Sequence, residues 1–245
     1  MKANVTATIK QAAILCAAGI LFFTSCTKDH STDNNDSTTV TEQEAVDVMT
    51  AGVSAESGGL AEQTDNAARV AAESSRIGCG QTIDTTYAGQ NQPGAVITYN
   101  YSVHVNRSLV CNAGVPQKYN FALDGHSVYS TPRMSSDDNT TASFTIEGFQ
   151  PGSSVYTFNQ QYERNGTQQS KVRQQRTFTS KLVITSTDVK VDKSTRMIIS
   201  GTAAVQLSGT VSGGKTVNFS GTLTFLGNRK GLLTLGNGNT YNIQW

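Results

Sequence analysis

The chain has 245 residues, 37% of them hydrophobic and only 7% aromatic, with a formal net charge of +1. So few aromatic residues argue against a lipid-facing β-barrel, whose strands need apolar bands closed by aromatic girdles. The near-neutral total conceals a dipolar chain: residues 26–75 carry ten acids and two bases, whereas residues 76–245 carry eight acids and fifteen bases. Either the acidic arm lies against the basic body, or the body meets an external polyanion while the arm stays free.

Lys2 and Lys10 precede an apolar run from Ala12 to Phe23, which Thr24-Ser25-Cys26 closes. The run is too short to span a bilayer core of about 30 Å, which takes roughly 20 apolar residues in helical form. Positive, apolar and small residues in that succession mark an export signal. The closing stretch Leu21-Phe22-Phe23-Thr24-Ser25-Cys26 resembles a bacterial lipoprotein signal. The resemblance implies removal of residues 1–25, a diacylglycerol thioether on Cys26, an acylated amino terminus, and a mature chain anchored by lipid to the bacterial outer membrane. Several acyl chains hold a protein stably where a single one does so only marginally. Lys28-Asp29 is similar to the surface-export signals of Bacteroidota lipoproteins, and the periplasmic and cell-surface faces both stay open. Residues 26–40 are rich in Asp, Asn, Ser and Thr with Val40 as the lone aliphatic, a composition expected to form a flexible acidic tether.

A helical segment is expected over 41–75. Thr41 and Glu44 have capping-box spacing, Ala45, Val48, Met49 and Val53 recur at helical intervals, and Gly58-Gly59 interrupts the pattern before an alanine-rich stretch from Leu60 to Ala72. The reading is a helical hairpin or broken helix. From residue 76 to 245 the pattern becomes β, with alternation through Ala95–Val105, Ser143–Phe149 and Tyr156–Tyr162. Asn165-Gly166 reads as a two-residue hairpin before a strand from Lys171 to Phe178, Asp124-Gly125-His126 as a turn, and Asp137-Asp138-Asn139 as a solvated turn. Ser-Gly-Thr recurs at Ser200, Ser208 and Ser220, where glycine marks bulges or bends. Val217, Phe219, Leu223 and Phe225 share one face and polar residues the other. The fold class is therefore mainly β: a curved antiparallel sheet, sandwich or half-barrel of about ten to twelve strands behind a short helical unit. Its apolar face requires cover from a second layer, from the helical arm, or from a bound apolar ligand. Tyr241, Ile243 and Trp245 alternate to the terminus and look similar to the last strand of an outer-membrane barrel, a rival architecture.

Gly209 to Thr216 fits the P-loop letters, but the alternation from Val217 to Leu226 puts a strand where a phosphate-binding loop needs a helix, so no nucleotide is expected. Cys79 and Cys111 form an even pair in an exported chain and are expected to be disulfide-bonded. His30, His104 and His126 have no metal-site spacing, no serine sits in a nucleophile elbow, and Asp84, Glu147 and Glu163 are the carboxylates that a glycosidase reading would need to pair. We therefore expect no catalytic residue, no metal and no cofactor. Arg164, Lys171, Arg173 and Arg176, with Lys181 beyond, crowd the Asn165-Gly166 region among glutamines and form a candidate polyanion contact. The functional expectation is a non-enzymatic binding or structural domain, lipid-anchored in the cell envelope, whose partner is an envelope glycan, lipopolysaccharide or a protein. The alternative is a carrier that holds a lipid or other apolar ligand on its concave face; glycan hydrolysis is a distant third.

Overall fold

The computed structural model describes residues 38–74, 77–92, 94–172 and 174–245. The expected signal peptide, Cys26 and most of the tether lie outside the described residues, as does Arg173. Helix α1, Glu42–Val53, begins at Thr41, whose hydroxyl accepts from the Glu44 amide while the Glu44 carboxylate accepts from the Thr41 amide. That reciprocal cap satisfies two donors that the first turn would otherwise leave open. A short 3-10 turn, Ala55–Ser57, passes through Gly58 in the left-handed region (φ 68°) into helix α2, Leu60–Ala72. The broken helix expected from Gly58-Gly59 is the observed arrangement.

Ten antiparallel strands follow: β1 Thr82–Gln90, β2 Thr98–Asn112, β3 Val115–Ser130, β4 Met134–Glu147, β5 Val155–Ser170, β6 Thr177–Asp192, β7 Ile198–Val211, β8 Thr216–Gly227, β9 Lys230–Leu235 and β10 Thr240–Gln244. They form one meandering sheet in sequence order, open between β1 and β10. The sheet curls strongly. Neighbouring strands lie about 4.8 Å apart, so in a flat sheet β3 and β10 would be separated by roughly 33 Å. Instead Gln244 of β10 and Thr131 and Arg133 of the β3–β4 turn line one cavity of about 250 Å³, together with Ala51 and Ser57 of the helical segment. Register shifts in the β2–β3, β5–β6, β6–β7 and β8–β9 pairs supply part of the bend.

The concave face carries the core. Tyr119, Phe121, Phe144, Phe158, Leu182 and Ile184 are all buried, and Met49, Val53, Leu60 and Val70 of the helices are buried in the same cluster. The helical arm is thus the cover that the apolar sheet face required. Gly52 is a point of close approach between α1 and the sheet: a Cβ there would collide with the Leu182 side chain. The tether is ordered at its end, since Val40 is buried and packs near Gly209.

Three expectations from turn chemistry give way. Asn165-Gly166 lies inside β5, Asp124-Gly125-His126 inside β3 and Asp137-Asp138-Asn139 inside β4. Strands of 14 to 16 residues run through each of them, because ladder pairing on both sides outweighs a local preference for turning. The expected strand from Lys171 to Phe178 is the β5–β6 connection, with β6 starting at Thr177. Of the Ser-Gly-Thr glycines, Gly201 lies among the β6–β7 register shifts, while Gly209 and Gly221 remain in the ladder. Ser212 to Lys215 is a turn followed by β8, as the defused P-loop requires. Outward positions of β4 run Ser135, Asp137, Asn139, Thr141, Ser143 and Thr145, a face without an apolar band for hydrocarbon. Ile243 and Trp245 turn inward, the latter edge-on to Phe225 at 5.9 Å. Among the described residues no helix is long and apolar enough to cross a membrane.

The Cys79–Cys111 disulfide is formed, across 32 residues, and pins the segment before β1 to the end of β2. Closing a loop of that length stabilises by about 3–4 kcal/mol in the chain-entropy account. Replacing both cysteines with serine is expected to lower the unfolding free energy by that order in urea titrations, and intact protein should show no free thiol at either position.

Candidate functional site

The four described cations of the expected polyanion contact do not share a surface. Arg164 is 3% exposed and points into the concave interior, which corrects its assignment as a surface contact. The reason is strand parity: Arg164 continues the inward row of Tyr156, Phe158 and Tyr162. Arg176 pairs with buried Glu44 of α1 at 3.1 Å, and Lys181 pairs with Glu163 on the outer face at 2.9 Å. Lys171 donates to the Thr131 carbonyl at 2.9 Å. Arg173 lies outside the described residues.

Of the expected set, Arg164 and Arg176 contact the acidic arm, and two further arginines, Arg133 and Arg196, help to seat it. Arg133 pairs with Asp47 at 3.0 Å, Arg176 with Glu44, and Arg196 of the β6–β7 turn with Asp65 of α2 at 3.0 Å. Glu42 accepts from the Asn237 and Asn239 amides, each at 2.7 Å, and from the Tyr241 hydroxyl. Burial works against the Glu42 charge, but these bonds from Tyr241, Asn239 and Asn237 outweigh it and hold the carboxyl below its ordinary range. Burial, and then the Glu42 charge, push the Tyr241 hydroxyl up to about 12. Of the two arrangements open to a dipolar chain, the acidic arm lying on the basic body is the one observed for residues 38–74.

Beneath the arm lies a buried polar cluster. The Arg164 guanidinium donates through Nη2 to the Ser57 carbonyl at 2.9 Å and through Nη1 to the Ala51 carbonyl at 3.4 Å, and lies 5.4 Å from the Tyr129 ring centroid and 5.8 Å from that of Tyr162. The Ala51 carbonyl, which also accepts from the Ser57 hydroxyl, belongs to the last turn of α1, where a positive charge is favoured by the helix dipole. Asp138, 1% exposed, accepts from the Ser136 hydroxyl and from Gln168 Nε2 at 2.7 Å, and the Tyr129 hydroxyl donates to Gln168 Oε1 at 3.0 Å. Burial raises the Asp138 carboxyl above its ordinary value despite Arg164, Ser136 and Gln168. Burial opposes the Arg164 charge too, but Tyr162, Asp138 and Tyr129 more than compensate, so its proton is held above the ordinary value. Gly166 stands opposite Asp138 in the ladder, and a Cβ there would collide with the Asp138 carboxylate. Gly166 is thus a packing requirement of the cluster.

Sequence reading missed Asp138, Gln168, Tyr129 and Ser57. Parity was the available signal, because Ser136, Asp138 and Thr140 continue inward from Ala142, Phe144 and Ile146. Polar residues at inward positions hide the alternation that reveals a strand. A second polar bridge joins α2 to the sheet, where Gln160 Nε2 donates to Thr64 at 2.8 Å and Ser186 donates to Gln160 at 3.1 Å.

The remaining ionisable groups are dispersed. Glu147 and Glu163 face Thr157 and Thr141 on neighbouring strands, so they are about 20 Å apart along the ladder at roughly 3.4 Å per residue, beyond any glycosidase separation. Asp84, on β1, lies about four strands from Glu163. His104 lies between Asp84 and Asp124 at 3.4 and 3.5 Å, and His126 meets Asp137 at 2.6 Å, all on the outer face. Among the described residues no cluster of three or more His, Cys, Asp or Glu has a geometry that could hold a metal ion. No family model, no curated protein and no solved structure matches this chain.

Arg164→Gln removes one partner of a buried charged cluster and leaves Asp138 without its counter-charge. The expected cost is about 3–5 kcal/mol in urea unfolding, with a smaller loss for Arg164→Met combined with Asp138→Leu. The pH dependence follows from Glu42. Its lowered value makes it a source of stability above the unfolded carboxylate value of about 4.3, lost as pH falls through the folded value. Asp138 has the opposite sign, since acid favours its protonated buried form. Hydrogen exchange at pH 3 relative to pH 7, corrected for intrinsic rates, should therefore speed up at the amides of Ala45 to Met49 before those of β4. The Glu42→Gln variant should lose that selectivity.

Proposed function

We propose that this chain is a lipid-anchored cell-envelope protein with a non-enzymatic β domain that serves as a binding or structural module. One observation supports the reading above the others. The segment that continues in sequence from the expected anchor at Cys26 is built into the domain by three ion pairs and the buried Arg164 contacts, so the domain is held through its own core and presents its outer face. The interior ionisable groups serve that attachment. In this reading no residue is catalytic, and the partner is an envelope polymer or protein that meets the outer face. The carrier alternative has less support, because an apolar ligand on the concave side would have to replace the arm and lie against Asp138, Gln168 and Arg164, which no acyl chain satisfies.

Radioactive palmitate should label the chain in a bacterial host that processes lipoproteins, and Cys26→Ala should abolish the label and move the protein to the soluble fraction. Native mass spectrometry of that soluble form should show protein without a bound lipid. An unlabelled wild-type chain would overturn the anchor, and a co-purifying acyl chain would overturn the module in favour of the carrier.

A further inference from the structure

The outer face of β6, β7 and β8 is laid out in five cross-strand rows, fixed by the pairing of these strands. Lys181, Ser208 and Asn218 form one row, and Val183, Gln206 and Ser220 the next. The row above and the two rows below carry threonine at every position except Ala204. Lys181 is the single charge on this surface, and Glu163 neutralises it at 2.9 Å. A groove of about 320 Å³ lies across the two central rows. Within it the side chains of Ser208, Asn218, Gln206 and Ser220 are unengaged by other groups among the described residues.

The chemistry of this surface narrows its occupant. Phe219 lines the groove but is partly buried and packed against the core, and the outer rows offer a protein partner no tryptophan, tyrosine or arginine anchor. A polyanion would need unpaired cations, and the one cation is paired. Two amides, two hydroxyls and the surrounding threonine hydroxyls are donors and acceptors together, while threonine and Val183 methyls cover the apolar C–H surface of a ligand. A ligand rich in hydroxyls and free of charge complements that mixture. We propose that this groove is a binding site for a neutral glycan, with Gln206 and Asn218 as the amide contacts. The inference rests on the binding-module reading and names its partner class. Contacts of this kind are individually weak, and display of many copies on one membrane would raise the effective affinity.

The test is affinity electrophoresis of the full chain, with and without Cys26→Ala, through native gels containing dextran, laminarin or yeast mannan, with heparin as the charged control. At least one neutral glycan should retard the protein, and heparin should not. Gln206→Ala with Asn218→Ala should weaken that retardation about fivefold or more, the scale of lost neutral hydrogen bonds, with an unchanged thermal midpoint. Ser102→Ala, on the outer face of β2, should leave it unchanged. Absence of retardation by all three glycans, stronger retardation by heparin, or equal retardation of the double variant would each overturn the proposal. The result is independent of the anchor, because palmitate labelling reports on Cys26 alone and the Cys26→Ala chain carries the same groove.

Discussion

A charge placed in the interior governs how this molecule closes. Arg164 enters the concave space of a curled sheet and meets the carbonyls of Ala51 and Ser57 at the end of α1 and in the following turn, the first of which also accepts from the Ser57 hydroxyl. Removing a guanidinium from water is costly unless its donors and its charge are both matched. Here the Ala51 and Ser57 carbonyls of the arm take the two terminal nitrogens, two aromatic faces and the nearby Asp138 carboxyl oppose the charge, and Nε alone is buried without a partner among the described residues. The arm and the floor of the sheet are therefore mutually dependent: each buries polar groups that only the other can satisfy.

The distribution of charge along the chain follows from the same dependence. Acids concentrated in the helical arm meet bases presented by the turns β3–β4, β5–β6 and β6–β7, at Asp47, Glu44 and Asp65. Exposed pairs of this kind contribute little individually. The Glu44–Arg176 pair differs, because both side chains are at least nine-tenths buried and Glu44 also caps α1. Small residues on the arm, such as Gly52 against Leu182, let the helices sit close enough for these pairs to form. With its inner face covered by the arm, the sheet leaves its outer face exposed. That face is divided between a His–Asp region on β1 to β4 and a neutral hydroxyl and amide region on β6 to β8.

Much of the architecture could be read from residue order. The capping spacing at Thr41 and Glu44, the break at Gly58-Gly59, the change to β grammar after residue 76 and the cysteine pair all depend on contacts close in sequence or on compartment, and each has its counterpart in the structure. The acidic and basic halves were equally visible. Turn chemistry was the misleading signal. At Asn165-Gly166 and Asp137-Asp138-Asn139 the local preference is for a turn, yet both lie in continuous strands because paired ladders on either side, and the Gly166–Asp138 contact, outweigh it.

What the sequence determined by itself was the set of elements and the need to cover an apolar sheet face, since periodicity and capping are local. Which cover was used, and which side of the sheet each cation would occupy, depended on the curl of ten strands about the helices. Arg164 illustrates the distinction. Its inward parity was present in the order Tyr156, Phe158, Tyr162, Arg164, but an inward arginine is tolerable only where distant carbonyls and a carboxyl converge on it. That convergence joins residues more than a hundred positions apart, and only the tertiary fold supplies it.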